Sequence, residues 1–171
     1  CTFKKDCQIM KFTFYLIVLF TTISFFVKCE KDDICLIETQ GTPRIVIRLY
    51  DKKNPLKLKA ANNITIAGIG KENSLTIVNS DSIIIPLKAD TNKTKFAFIK
   101  TIGDSIYADT LQFNYQRNDL YINRSCGYRT EFILNNTAVD FISGNLNWMD
   151  HFELLTNTVS NEDQAHLAIY H

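Results

Sequence analysis

Apolar and polar positions alternate from about residue 35 to the end of the chain. In Arg44-Ile45-Val46-Ile47-Arg48-Leu49-Tyr50, Ile45, Ile47 and Leu49 share one face and both arginines share the other. Thr110-Leu111-Gln112-Phe113-Asn114-Tyr115 likewise aligns Leu111, Phe113 and Tyr115. Successive side chains of a strand point to opposite faces, so a period of two predicts half-buried strands. Short segments rich in Ile, Phe, Thr or Tyr extend the pattern at 64–68, 75–79, 82–87, 94–100, 120–123, 129–135, 152–159 and 166–171. Turn formers separate them: Asn54-Pro55, Gly70-Lys71-Glu72-Asn73, Asn79-Ser80-Asp81, Asp90-Thr91-Asn92, Gly103-Asp104 and Asn135-Asn136. No stretch after residue 35 holds a helical stripe over about three turns. Neither an internal repeat nor a linker marks a second domain. The pattern predicts an all-β fold, a single antiparallel β-sandwich domain over residues 43–171, with a small β-barrel as the alternative.

The first thirty residues follow another rule. Phe12 to Val27 is a run of 16 uncharged residues, preceded by Met10 and Lys11 and followed by Lys28 and Cys29. It has no polar face at helical spacing, which argues against a core helix. A positive start, an apolar run of this length and an abrupt polar boundary read as an export signal over residues 10–28. A membrane-spanning helix needs about 17 or more apolar residues, so a permanent anchor fits less well. Residues 1–9 precede Met10 and are expected to be an upstream extension rather than native sequence. Cys29 ends the apolar run as the lipidated Cys of a bacterial lipoprotein does, although Lys28 stands where a small residue is usual. Cys29-Glu30-Lys31-Asp32-Asp33 resembles the tag that sends some Bacteroidetes lipoproteins to the cell surface. The other reading is a secreted protein in which Cys29 is a spare thiol or a disulfide partner. Residues 29–42 are then a tether between signal and sandwich.

Composition narrows the function classes. The 171 residues carry 19 Lys and Arg against 18 Asp and Glu, a formal charge of +1. The leader holds four of those bases (Lys4, Lys5, Lys11 and Lys28) and one acid (Asp6). Without it, 15 bases face 17 acids, a net charge of −2. Such a balance gives no support to a nucleic-acid partner. Five cysteines are present, at 1, 7, 29, 35 and 126. If Cys29 carries lipid, Cys35 and Cys126 remain as one pair in an oxidising compartment. That bridge would close a loop of about 90 residues, worth about 4–5 kcal/mol on the loop-entropy account. Cys126 as a nucleophile is the alternative, but no His accompanies it in a recognised catalytic pattern.

Candidate chemistry is sparse. No C-x-x-C, G-x-S-x-G, P-loop or G-x-G-x-x-G occurs, and His151, His166 and His171 are too scattered to suggest a metal site. No catalytic residue, metal or cofactor is expected. Lys52, Lys53, Lys57 and Lys59 around Pro55 could meet phosphate or an anionic glycan; lysines and a proline guarding a sheet edge explain them better. Tyr107, Tyr115, Tyr121, Tyr128 and Trp148 could stack on sugar rings or fill a core. The polar stretch 144–150 around Asn145, Asn147 and Trp148 is the expected exposed binding loop. Asp81-Ser82-Ile83, Asp104-Ser105-Ile106 and Asp109-Thr110-Leu111 resemble the Asp-Ser/Thr-apolar acceptors of Bacteroidetes O-glycosylation, at Ser82, Ser105 and Thr110.

Several of these features follow one order: Cys29-Glu30-Lys31-Asp32-Asp33-Ile34-Cys35, Thr42-Pro43-Arg44, Asp109 to Tyr115, Cys126-Gly127-Tyr128 and Asn147-Trp148. Together they resemble an uncharacterised Bacteroidetes lipoprotein family, domain of unknown function 6452, over residues 29–171. The resemblance implies paired cysteines at 35 and 126 and a lipoprotein of the outer membrane or cell surface, and it carries no catalytic residue. The expected function is a non-enzymatic binding or accessory module, held to the membrane by a lipid anchor and meeting a protein or glycan partner. The rivals are a secreted or periplasmic carbohydrate-binding module and an enzyme of unrecognised type.

Overall fold

The computed structural model describes residue 17, residues 34–142 (backbone only at 136–138) and residues 147–171. Cys29 and, residue 17 apart, the 10–28 segment lie outside the described residues. The chain divides into two compact units, Cys1–Leu36 and Ile37–His171. Among the described residues no helix is long and apolar enough to cross a membrane.

The second unit holds two sheets. In the first, β1 (Ile45–Asp51) pairs along one side with β11 (Leu167–Tyr170), which pairs in turn with β9 (His151–Leu154). The other side of β1 is shared end to end. β5 (Ser82–Ile85) covers Ile45–Arg48, and β2 (Asn54–Leu58) covers Tyr50 and Asp51. The second sheet runs in the order β10 (Thr158–Val159), β8 (Gly127–Ile142), β7 (Ser105–Asn123), β6 (Lys93–Ile102), β3 (Ala61–Gly68), β4 (Ser74–Ser80). All its pairings are antiparallel. Neither sheet closes on itself, so the sandwich holds and the barrel does not.

The period-two faces are the core faces. Ile45, Ile47 and Leu49 of β1 join Ile83, Ile85, Leu167 and Ile169 in one buried cluster. The second sheet brings Ile64, Ile66, Phe96, Phe98, Leu111, Phe113, Tyr115, Phe132 and Leu134 to the same cluster. Branched and aromatic side chains fit the pleat, and their burial supplies the main favourable energy of folding.

The structure departs from the expected pattern in four places. β1 and β11 are parallel, with Ile47 opposite Leu167 and Tyr50 opposite Tyr170. Val46 and Ala168, on the faces away from the cluster above, are also buried. Strands buried on both faces are the ones that tolerate parallel pairing. The second departure is length. β7 fuses two expected strands through polar Gln116–Asp119, and β8 passes through the expected breaker Asn135-Asn136. Four residues of β8, 135–138, lie opposite the single Asn114, so an irregularity in the ladder absorbs the asparagines. The third is the expected strand 152–159, which splits into β9 and β10 on different sheets. Leu155 N–H turns to the His166 carbonyl, and Leu134 N–H takes the Asn157 carbonyl. The fourth is the expected breaker Asn54-Pro55, which instead opens β2, an edge strand where the missing N–H of Pro55 costs no ladder bond.

Candidate functional site

Trp148 corrects the sequence expectation of an exposed binding loop. Its side chain is buried, at 8% exposure, and its indole N–H donates to the Phe98 carbonyl at 3.0 Å. The backbone N–H groups of Trp148 and Met149 both donate to Asp109 Oδ2, at 3.0 and 2.9 Å. Polar neighbours suggest a surface loop, yet a large apolar ring whose N–H finds a partner gains by going inside. Asn147 is exposed, and Asn145 lies outside the described residues.

Asp109 is fully buried, with Oδ1 lacking a protein partner. Burial raises its pKa, against the lowering effect of the two N–H groups it accepts. It is also the acid of the third acceptor-like triplet. Thr110 is half-buried within β7, between Ala97 and Ile142. That triplet is a piece of paired sheet rather than a presented acceptor. Ser105 is exposed at the start of β7, after a turn in which Gly103 has φ +60°. Ser82 is half-buried opposite Arg48, its N–H donating to Ser80 Oγ at 3.0 Å.

Beside Trp148 two strands part. The β3–β6 ladder runs from Gly68–Phe96 to Ile64–Lys100 and stops. β3 continues with β4 to Ala61–Ser80, while β6 continues with β7 to Ile102–Ser105. Asn63, at φ 52°, stands where the strands part; asparagine is among the few residues that take up this left-handed region readily. An open recess of about 370 Å³ lies at the fork, lined by Lys59, Ala60, Asn62, Lys100, Thr101, Ile102 and His171. Lys59 Nζ donates to the main-chain oxygen of His171 at 2.8 Å and lies 3.8 Å from Asp51 Oδ1. Lys100 Nζ stands 4.9 Å above the Trp148 ring. Among the described residues, no carboxylate lies within ion-pair distance of Lys100. Burial, and then the nearby Lys59, hold the Lys100 pKa below the ordinary lysine value. Burial lowers that of His171 as well, against the raising contact of its ring with the Lys59 carbonyl at 3.1 Å.

The remaining aromatics divide cleanly. Tyr115 is core, its hydroxyl 2.6 Å from Thr94 Oγ1 and donating to the Lys88 carbonyl at 2.8 Å. Tyr107 is half-buried against the core. Tyr121 and Tyr128 face water at 60% and 70% exposure, their rings edge-to-face at 5.3 Å. They pair across the end of the β7–β8 hairpin, which Gly127 closes at φ +71°. Cys126, in that turn, and Cys35 are both disulfide-bonded, as the expected pairing requires. Gln40 and Thr42, in the expected tether, belong to the compact unit with the sheets. Arg129 donates to Gln40 Oε1 at 3.1 Å, and Thr130 N–H to Thr42 Oγ1 at 3.0 Å.

The three histidines have different surroundings. His166 is fully buried, with Nδ1 accepting the Val46 N–H at 3.0 Å, so Nε2 carries the proton; burial lowers its pKa. His151 stacks on Tyr170 at 4.3 Å. Among the described residues no group of three His, Cys, Asp or Glu is placed to hold a metal ion. A second recess of about 260 Å³ lies between Gln40–Pro43 and Ser160–Asp163, beside the two-pronged Arg44–Glu162 ion pair.

Comparison with known proteins adds one match. The model of a family of unknown function, DUF6452, matches residues 63–171. No curated protein and no solved structure matches the chain.

Proposed function

This chain belongs to the DUF6452 family, and from that premise we propose that it is a non-enzymatic protein held at the bacterial envelope by lipid on Cys29, working there as a binding or accessory module. The observation that carries the binding role is the exposed Tyr121–Tyr128 pair at the hairpin end. Large rings that face water at a strand end offer a stacking platform for a sugar or for a partner's aromatic side chain. With Trp148 inside, the ring-stacking role moves from the 144–150 loop to this hairpin. The support for the anchor is the uncharged run 12–27, with Cys29 two residues after it, and the acidic residues that follow. A Cys35–Cys126 bridge would fasten the end of the tether to the same hairpin.

Two experiments test the reading. Feeding cells an alkyne fatty acid should label the wild-type protein and not Cys29→Ala; an unlabelled wild type overturns the anchor. A glycan array and a pull-down from envelope extract should both be run with Tyr121→Ala/Tyr128→Ala alongside. Loss of a bound glycan or partner in the double variant is the expected result, and retention removes the hairpin from the site. A secreted carbohydrate-binding module is the second reading, favoured by the same ring pair; glycan binding without fatty-acid labelling selects it.

A further inference from the structure

We propose that the β3–β6 fork is a binding site for a small organic oxyanion, a carboxylate or a phosphate ester, taken up between Lys59 and Lys100. This goes beyond the anchored-module reading and holds whether or not Cys29 carries lipid.

The argument starts from the backbone. Two neighbouring strands normally stay paired to their ends, because unpaired ladder groups lose hydrogen bonds. Here β3 and β6 each keep their outer neighbour and abandon one another after Ile64–Lys100. Asn63 adopts a left-handed backbone at that point, and backbone of this kind persists where surrounding structure holds it, often at ligand sites. The opening is about 370 Å³. That lies within the range of small-molecule sites and leaves room for an organic body besides the charged group.

Charge then selects the ligand. Lys59 and Lys100 both line the opening, with the buried His171 beside them. Lys59 is already engaged by the main-chain oxygen of His171 and, more distantly, by Asp51. Lys100 is half-buried and rests on the Trp148 ring, with no ion-pair partner among the described residues. A partly desolvated ammonium beside a like charge is unfavourable, and an anion between the two relieves both costs. Asn62 and Thr101 on the two walls supply amide and hydroxyl groups suited to the polar body of such a ligand. The geometry also explains why four nearby lysines in sequence act differently. Lys52, Lys53 and Lys57 remain at the β1–β2 edge, and Lys59 turns into the fork.

Trp148 is the only tryptophan, and Lys100 stands on its ring, so intrinsic fluorescence reads the site directly. Full-length protein is titrated at constant ionic strength with glucuronate, glucose 1-phosphate, inorganic phosphate and, as the uncharged control, glucose. The expected result is a saturable change with at least one of the two organic anions and none with glucose. The affinity should fall at least about tenfold in both Lys100→Met and Lys59→Met and stay at the wild-type value in Lys53→Met. Calorimetry on the same variants covers any change in fluorescence that the substitution itself causes, and thermal melts confirm that each is folded. Response to glucuronate alone assigns a carboxylate site, and response to glucose 1-phosphate a phosphate-ester site. No saturable response to either organic anion by either method, equal response to glucose, or undiminished binding in folded Lys100→Met overturns the proposal. Response to inorganic phosphate alone overturns the organic ligand.

Discussion

A carboxyl group taken wholly out of water must be hydrogen-bonded or neutral, and Asp109 is both served and strained in this respect. Its Oδ2 fastens Trp148 and Met149, and its Oδ1 has no protein partner. Asp109→Ala leaves two buried N–H groups without an acceptor and should cost about 2–4 kcal/mol, read from urea unfolding. Asp109→Asn keeps an acceptor and should cost less. The titration has a definite sign. Because its folded pKa is raised, Asp109 contributes stability below about pH 4, the value of the unfolded chain, and loses it as pH rises through the folded value. Urea midpoints taken from pH 4 to pH 7 should therefore move in favour of Asp109→Asn relative to wild type as pH rises. None of this was legible at residues 144–150, whose polar composition suggests a surface loop. The partner that turns Trp148 inward is about 40 positions earlier in the chain, and no local pattern links the two. Lys59 and Lys100 are equally distant in sequence, so their meeting at the fork was invisible, although a lysine at a core-facing position of a strand, as Lys100 is, was the one available sign.

The strands that the period-two pattern predicted carry the core, and their energetics differ by face. Phe98 is fully buried, so Phe98→Ala should cost about 3–5 kcal/mol. The double change Tyr121→Ala/Tyr128→Ala removes an exposed pair and should cost no more than about 1.5 kcal/mol. A comparison of the two by chemical denaturation separates core from platform; a loss of core size at the hairpin would contradict its exposed geometry. The Arg44–Glu162 ion pair, also on the surface, is expected to contribute less than about 1 kcal/mol, measured as the change on Glu162→Gln. Alternation told which residues face the core because it is a local property of the extended backbone. It did not tell where a strand stops. The irregular ladder at 135–138 lets β8 carry Asn135-Asn136 through the sheet, and the turn of Leu155 toward His166 breaks a continuous apolar run into β9 and β10. Both outcomes depend on neighbours far along the chain.

At the scale of the whole molecule, β1 is the strand that β5, β2 and β11 all lean on. It lies before residue 63, outside the stretch that matches the family model. A fragment of residues 63–171 should therefore fail to fold, since β5 and β11 lose their shared partner, whereas residues 37–171 should unfold cooperatively. Circular dichroism and thermal melts of the two fragments check this, and a cooperative transition in the shorter one would show that the first sheet survives without β1. The parallel β1–β11 pair joins residues about 120 positions apart, and closure over that length is entropically costly until the core rewards it. By itself the sequence determined the all-β class and the inward faces of the strands, because each follows from local chemistry read at one period. Only the tertiary structure decided the parallel pairing, the burial of Trp148, the exposure of Tyr121 and Tyr128, and the fork that brings Lys59 to Lys100. Those depend on which distant segments share a sheet, and that choice is made by the packing of the whole core at once.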